Sequence, residues 1–164
     1  MKFKTTYYFL HFLFILFATI ILLTGCSDDE ESLDTEYPVI DETFAANYPQ
    51  QCSEIKKGES FTFIAHFTDN QELGSYSIDI HHNFDHHNHS TEVNDCNMDP
   101  IKTPENPFLF INNFSIPEGQ REYTAEMSID VPADVDNGDY HFLIMLTDHE
   151  GWQTIKGISF KIID

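Results

Sequence analysis

From Tyr37 to the last residue, apolar side chains recur at every second position in short runs, and turn-forming residues separate the runs. Strict alternation is the mark of strands with one face buried, and it leaves a chain few folds other than a packed pair of sheets. Tyr37-Pro38-Val39-Ile40 reads as a first edge strand, where a proline is tolerated. After Lys57-Gly58, Phe61, Phe63, Ala65 and Phe67 point one way, while Thr62, Ile64 and His66 point the other. Asp69-Asn70 turns the chain, and Tyr76, Ile78 and Ile80 alternate with Ser75, Ser77 and Asp79. The prolines at 100, 104 and 107 discourage regular structure before an apolar strand region from Phe108 to Ile116.

The alternation resumes after Pro117-Glu118-Gly119 with Tyr123, Ala125, Met127, Ile129 and Val131. Asp136-Asn137-Gly138-Asp139 is another turn, followed by Tyr140, Phe142, Ile144 and Leu146 against His141, Leu143, Met145 and Thr147. A hairpin at His149-Glu150-Gly151-Trp152 leads to Ile158, Phe160 and Ile162. About seven strands at this spacing, with no amphipathic helix among them, predict an all-β, Ig-like antiparallel β-sandwich over residues 37–164.

The front of the chain is organised differently. Lys2 and Lys4 precede an apolar run from Tyr7 to Leu23, the layout of a secretory signal. Leu23-Thr24-Gly25-Cys26 matches the bacterial lipobox, which predicts cleavage of residues 1–25 and lipidation of Cys26. An uncleaved membrane helix is the competing reading of the same run. Ser27-Asp28-Asp29-Glu30-Glu31 opens a solvated acidic tether over 26–36. It resembles the acidic export signal of Bacteroidetes lipoproteins that reach the outer face of the outer membrane.

The formal net charge is -20, and cleavage would remove two lysines and no acid. A surface this acidic repels phosphates, so nucleic acid is excluded as a partner. Anionic head groups are repelled too, so membrane attachment would rest on the acyl chains. With Cys26 taken by lipid, Cys52 and Cys96 remain, and two cysteines in an oxidising compartment predict a disulfide. Free thiols or metal-ligating thiols are the alternatives.

Five of the nine histidines lie within His81-His82-Asn83-Phe84-Asp85-His86-His87-Asn88-His89. In an Ig-type order the strand over 75–82 neighbours the strand over 139–147 in antiparallel fashion, so the end of one faces the start of the other. His81 and His141 are both out of phase with their core residues, which places them on the outer face of one sheet near the same end. His87 and His89, two apart, share one side of an extended segment. Imidazoles in this density suit zinc or copper, with Asp85 as an oxygen ligand. The expected metal residues are therefore His81, His82, Asp85, His86, His87, His89 and His141. Against this stand an inert or partner-contacting polar loop and a metal-free proton switch.

Two other groups carry weaker signals. His66 belongs near the opposite end as an exposed or hydrogen-bonded histidine. Asp148 and Glu150 at the hairpin, with Asp69 and Glu72 from a loop at the same end, form a set of carboxylates that could hold calcium, although turn-forming acids are the commoner role.

Pro38-Val39-Ile40, Phe67-Thr68-Asp69-Asn70-Gln71-Glu72-Leu73-Gly74-Ser75-Tyr76, the histidine segment, and Gly138-Asp139-Tyr140 through Thr147-Asp148-His149-Glu150-Gly151-Trp152 together resemble a family of Bacteroidetes lipoproteins described as a domain of unknown function (family 4625). The resemblance spans the chain from Tyr37 and implies an Ig-like fold and an envelope address. It implies no activity.

No motif of catalysis is complete. There is no Gly-x-Ser-x-Gly elbow or phosphate-cradling glycine loop, and His149-Glu150-Gly151-Trp152-Gln153 has glutamine where a zincin needs its second histidine. The expectation is a non-enzymatic outer-membrane lipoprotein, anchored by lipid, that captures zinc or copper and hands it on, for instance to an outer-membrane transporter. The alternative is a surface adhesion or assembly module that binds a protein or glycan without metal.

Overall fold

The computed structural model describes residues 33–88 and 96–164. The signal segment, Cys26, most of the acidic tether and His89 lie outside the described residues. Residues Asp34–Asp164 form a compact unit. It is all-β, with strands β1 (Val39–Ile40), β2 (Ser53–Lys56), β3 (Ser60–Thr68), β4 (Leu73–His82), β5 (Phe110–Ser115), β6 (Glu122–Asp130), β7 (Gly138–Asp148) and β8 (Gln153–Ile163). They make two sheets, β1-β3-β6 and β2-β8-β7-β4-β5.

The alternating residues do what their phase predicts. Phe61, Phe63, Ala65 and Phe67 of β3 are buried, as are Tyr76, Ile78 and Ile80 of β4 and Tyr140, Phe142, Ile144 and Leu146 of β7. These faces meet between the sheets, where Phe63 stacks on Phe142 at a centroid distance of 5.4 Å. Each fully buried aliphatic or aromatic side chain contributes about 1.5–3 kcal/mol relative to its exposed state. The expected count of about seven strands omits β2, which pairs parallel with β8, Ile55 opposite Ile162. One apolar residue in Ser53-Glu54-Ile55-Lys56 gives no alternation to detect.

Two local features fix the end of the sandwich that carries the histidines. The Tyr140 hydroxyl donates to the Asp136 carbonyl at 2.6 Å and accepts from the Phe108 amide at 3.1 Å. A tyrosine at the start of this strand, bonded back a few residues upstream, is a corner that Ig-type sandwiches share. Cys52 and Cys96 form a disulfide, as expected, which ties the chain after the histidine segment to the start of β2.

Candidate functional site

β4 and β7 run antiparallel with His81 opposite His141 and His82 opposite Tyr140. The phase argument therefore holds, and both His81 and His141 lie on the outer face of the five-stranded sheet. His141 is nevertheless fully buried. The reason is the path of the chain beyond β4. Asn83 N–H donates to the Asp139 carbonyl at 2.8 Å, and Phe84 inserts its ring edge-to-face against Tyr140 at 5.3 Å. His86 takes a left-handed φ of 57°, which turns the segment back over the sheet. The His87 carbonyl then receives the His141 Nε2 proton at 3.0 Å.

Three imidazoles are thereby gathered. The ring centroids of His87 and His141 are 4.8 Å apart. His81 lies 5.4 Å from His87 and 5.4 Å from His141. His82 is at the margin, with its centroid 6.4 Å from that of His87.

Carboxylates orient two of the rings. His81 Nδ1 meets Asp79 Oδ1 at 2.8 Å, and His87 Nδ1 meets Asp85 Oδ1 at 2.6 Å. The hydrogen bond from His87 holds the Asp85 carboxyl below the usual carboxylate range. A carboxylate at Nδ1 places the proton there and leaves the lone pair on Nε2. In His141 the order is reversed: a carbonyl can only accept, so Nε2 carries the proton and Nδ1 the lone pair.

The seven expected metal residues thus divide, apart from His89, which lies outside the described residues. His81, His87 and His141 converge, and His82 borders them. Asp85 partners His87 through Nδ1. His86 turns aside, its Nε2 donating to the Asp99 carbonyl at 2.9 Å. His66 sits elsewhere, bonded through Nδ1 to Thr124 Oγ1 at 3.0 Å and stacked on Phe44.

The opposite end of β4 and β7 holds a second constellation. Leu73 is the register partner of Asp148 there. Asp148 and Asp69 are brought together as the sequence suggested, but their third companion is Asp34. Each of the three offers an oxygen within 4.8 Å of the other two. Glu72 and Glu150 are otherwise engaged: Glu72 Oε1 accepts from Gly119 N–H at 2.7 Å, and Glu150 faces His149 at 3.4 Å. Asp34 falls in a stretch whose composition reads as tether. Its place is set by the Trp152 indole, which donates to the Asp34 carbonyl at 2.9 Å from 118 positions away, and no local pattern announces that.

No curated protein matches the chain at a significant level. Among solved structures, it is similar to wild-type OgpA from Akkermansia muciniphila, with 15% identity and a TM-score of 0.40 over 68% of this chain. This chain spans 30% of that one. The profile of the family described as "Domain of unknown function (DUF4625)" matches residues 24–163, and the chain belongs to that family.

Proposed function

We propose that the protein is a non-enzymatic, lipid-anchored lipoprotein of the outer membrane whose sandwich presents a histidine cluster for capture of zinc or copper, and that it passes the ion to another envelope protein such as a transporter. The observation that carries this reading is the convergence of His81, His87 and His141 from a strand end, a returning segment and a neighbouring strand. Zinc binds imidazole nitrogen at about 2.0–2.1 Å, so two rings on one tetrahedral ion have centroids about 5 Å apart. The observed separations are of that size. His81 and His87 are stacked at an interplanar angle of 13°, so capture requires one of them to rotate until both nitrogens face the ion. Asp79 and Asp85 would then act as the carboxylates that commonly support metal-bound histidines.

The test is calorimetric titration of the metal-stripped full-length chain in detergent with zinc and then copper. The reading expects submicromolar, stoichiometric binding that the double variant His81→Ala/His87→Ala loses. Association only in the millimolar range, or binding unchanged by the variant, overturns it.

A second reading is favoured by the edge strand β5. Ile111 is 58% exposed and sits opposite Asp79, which puts an apolar side chain on the same outer face as His81. A protein or glycan contact there would be insensitive to chelator and sensitive to Ile111→Ser.

A further inference from the structure

From the chemistry of Asp34, Asp69 and Asp148 we infer a second metal site, independent of the histidines, that takes a hard divalent cation of calcium size and fastens the N-terminal stretch to the sandwich. The three carboxylates share one design. One oxygen of each is used on the chain's own amides: Asp34 Oδ1 accepts from Glu36 N–H at 3.0 Å and Asn70 Nδ2 at 2.9 Å. Asp69 Oδ2 accepts from the amides of Gln71 at 2.8 Å and Glu72 at 2.7 Å. Asp148 Oδ1 accepts from the amides of Gly151 at 2.6 Å and Trp152 at 2.8 Å.

The remaining oxygen of each is buried, and no donor among the described residues reaches it. Asp34 is 3% exposed and Asp148 4%, so these are side chains almost wholly removed from water. No ion pair among the described residues involves any of the three. A buried carboxylate oxygen without a donor is costly, and three carboxylates that each bring an oxygen within 4.8 Å of the others also repel. A cation at the centre answers both problems.

The ligand set names the class of ion. Three carboxylates without nitrogen or sulfur suit a hard cation, and calcium accepts six to eight oxygens at about 2.3–2.6 Å in irregular cages. Magnesium demands a tighter octahedron and usually keeps several waters with only one or two carboxylates. The ion would join three separate stretches: the chain's arrival at Asp34, the β3–β4 loop at Asp69, and the end of β7 at Asp148. Trp152 completes the arrangement, its indole on the Asp34 carbonyl and its ring against Tyr37 at 5.0 Å.

Trp152, the single tryptophan of the chain, makes the proposal directly readable. Terbium, a calcium surrogate that prefers oxygen ligands, should give luminescence sensitised through Trp152 when added to the calcium-stripped full-length chain in detergent. Calcium should displace it and magnesium should compete far less well. Asp69→Asn retains a carbonyl oxygen for the Gln71 and Glu72 amides while removing charge from the centre. It should weaken terbium and calcium by about tenfold or more, as loss of a charged ligand does.

The same substitution should raise the melting temperature of the calcium-free chain, because a repulsion is relieved, and abolish the upward shift that calcium produces in the unsubstituted protein. Asp34→Asn is the parallel variant should Asp69→Asn fail to fold. The exposed Glu150→Gln and His87→Ala should leave terbium binding unchanged. No sensitised emission below millimolar terbium, a melting temperature indifferent to calcium and chelator, or equal losses in Glu150→Gln and Asp69→Asn would each overturn the site. None of these outcomes bears on the histidine cluster.

Discussion

His81 and His141 are register partners on β4 and β7, and their rings meet edge to face at 5.4 Å. His87, carried back over the strands, covers the pair and closes the group. Protons compete with a metal for imidazole lone pairs, so zinc affinity of the full-length chain should fall as the solution is made more acidic. Titrations at three pH values check this. An affinity flat with pH would point to ligands other than histidine.

Asp85 is exposed and its described side-chain bond is to His87 Nδ1. Asp85→Ala should therefore lower metal affinity by about 10–100-fold, the usual cost of losing such a support. The melting temperature should stay within a degree or two of the parent. A matched loss of stability would reassign Asp85 to holding the loop.

The disulfide between Cys52 and Cys96 closes a separation of 44 positions. By the loop-closure argument, reduction should cost about 4 kcal/mol of stability. Because the bridge also anchors the chain just beyond the histidine segment, reductant should weaken zinc binding before the protein unfolds. Chemical denaturation and calorimetry with and without reductant separate the two effects.

Tyr140 and its corner contribute to the alkaline limb of stability. Burial, with the nearby Asp136 charge adding to it and the Phe108 amide opposing, pushes the phenol up to about 12. A folded value above the unfolded value of about 10 means that the neutral phenol stabilises the fold below pH ~10, and that this contribution is lost as pH rises through ~12. Tyr140→Phe removes partners from the Phe108 amide and the Asp136 carbonyl, and should cost about 1–3 kcal/mol at neutral pH. Denaturant titrations from neutral to alkaline pH should show a smaller decline in the variant than in the parent.

Gly74 has no room for a side chain. A Cβ there would lie 2.6 Å from the Asp148 carbonyl oxygen, at the point where the β4–β7 register shifts. Gly74→Ala should destabilise by about 1–3 kcal/mol, as overpacking does. By moving the backbone of Asp148 it should also weaken the calcium response measured by terbium displacement.

Much of this architecture was legible from alternation, because side chains on a strand point to opposite faces and a buried face needs an apolar residue at every second position. That logic gave β3, β4, β6, β7 and β8, and it set His81 beside His141 across the sheet. It could not give β2, whose parallel pairing with β8 is a long-range event with little local pattern. Nor could it show that His141 is buried, since the cover is a turn that depends on the left-handed backbone of His86. The acidic triad was half visible. Asp69 and Asp148 flank turns at one end of the predicted sandwich, whereas Asp34 is placed by a tryptophan near the far terminus.

β4 runs for ten residues between the two constellations. At about 3.3 Å per residue that is about 30 Å of stiff rod. The N-terminal stretch joins the unit at the Asp148 end, and the imidazoles occupy the other. That span is several times the screening length of about 8 Å in physiological salt, so charge taken up at one end is not felt at the other and the two sites can fill and empty separately.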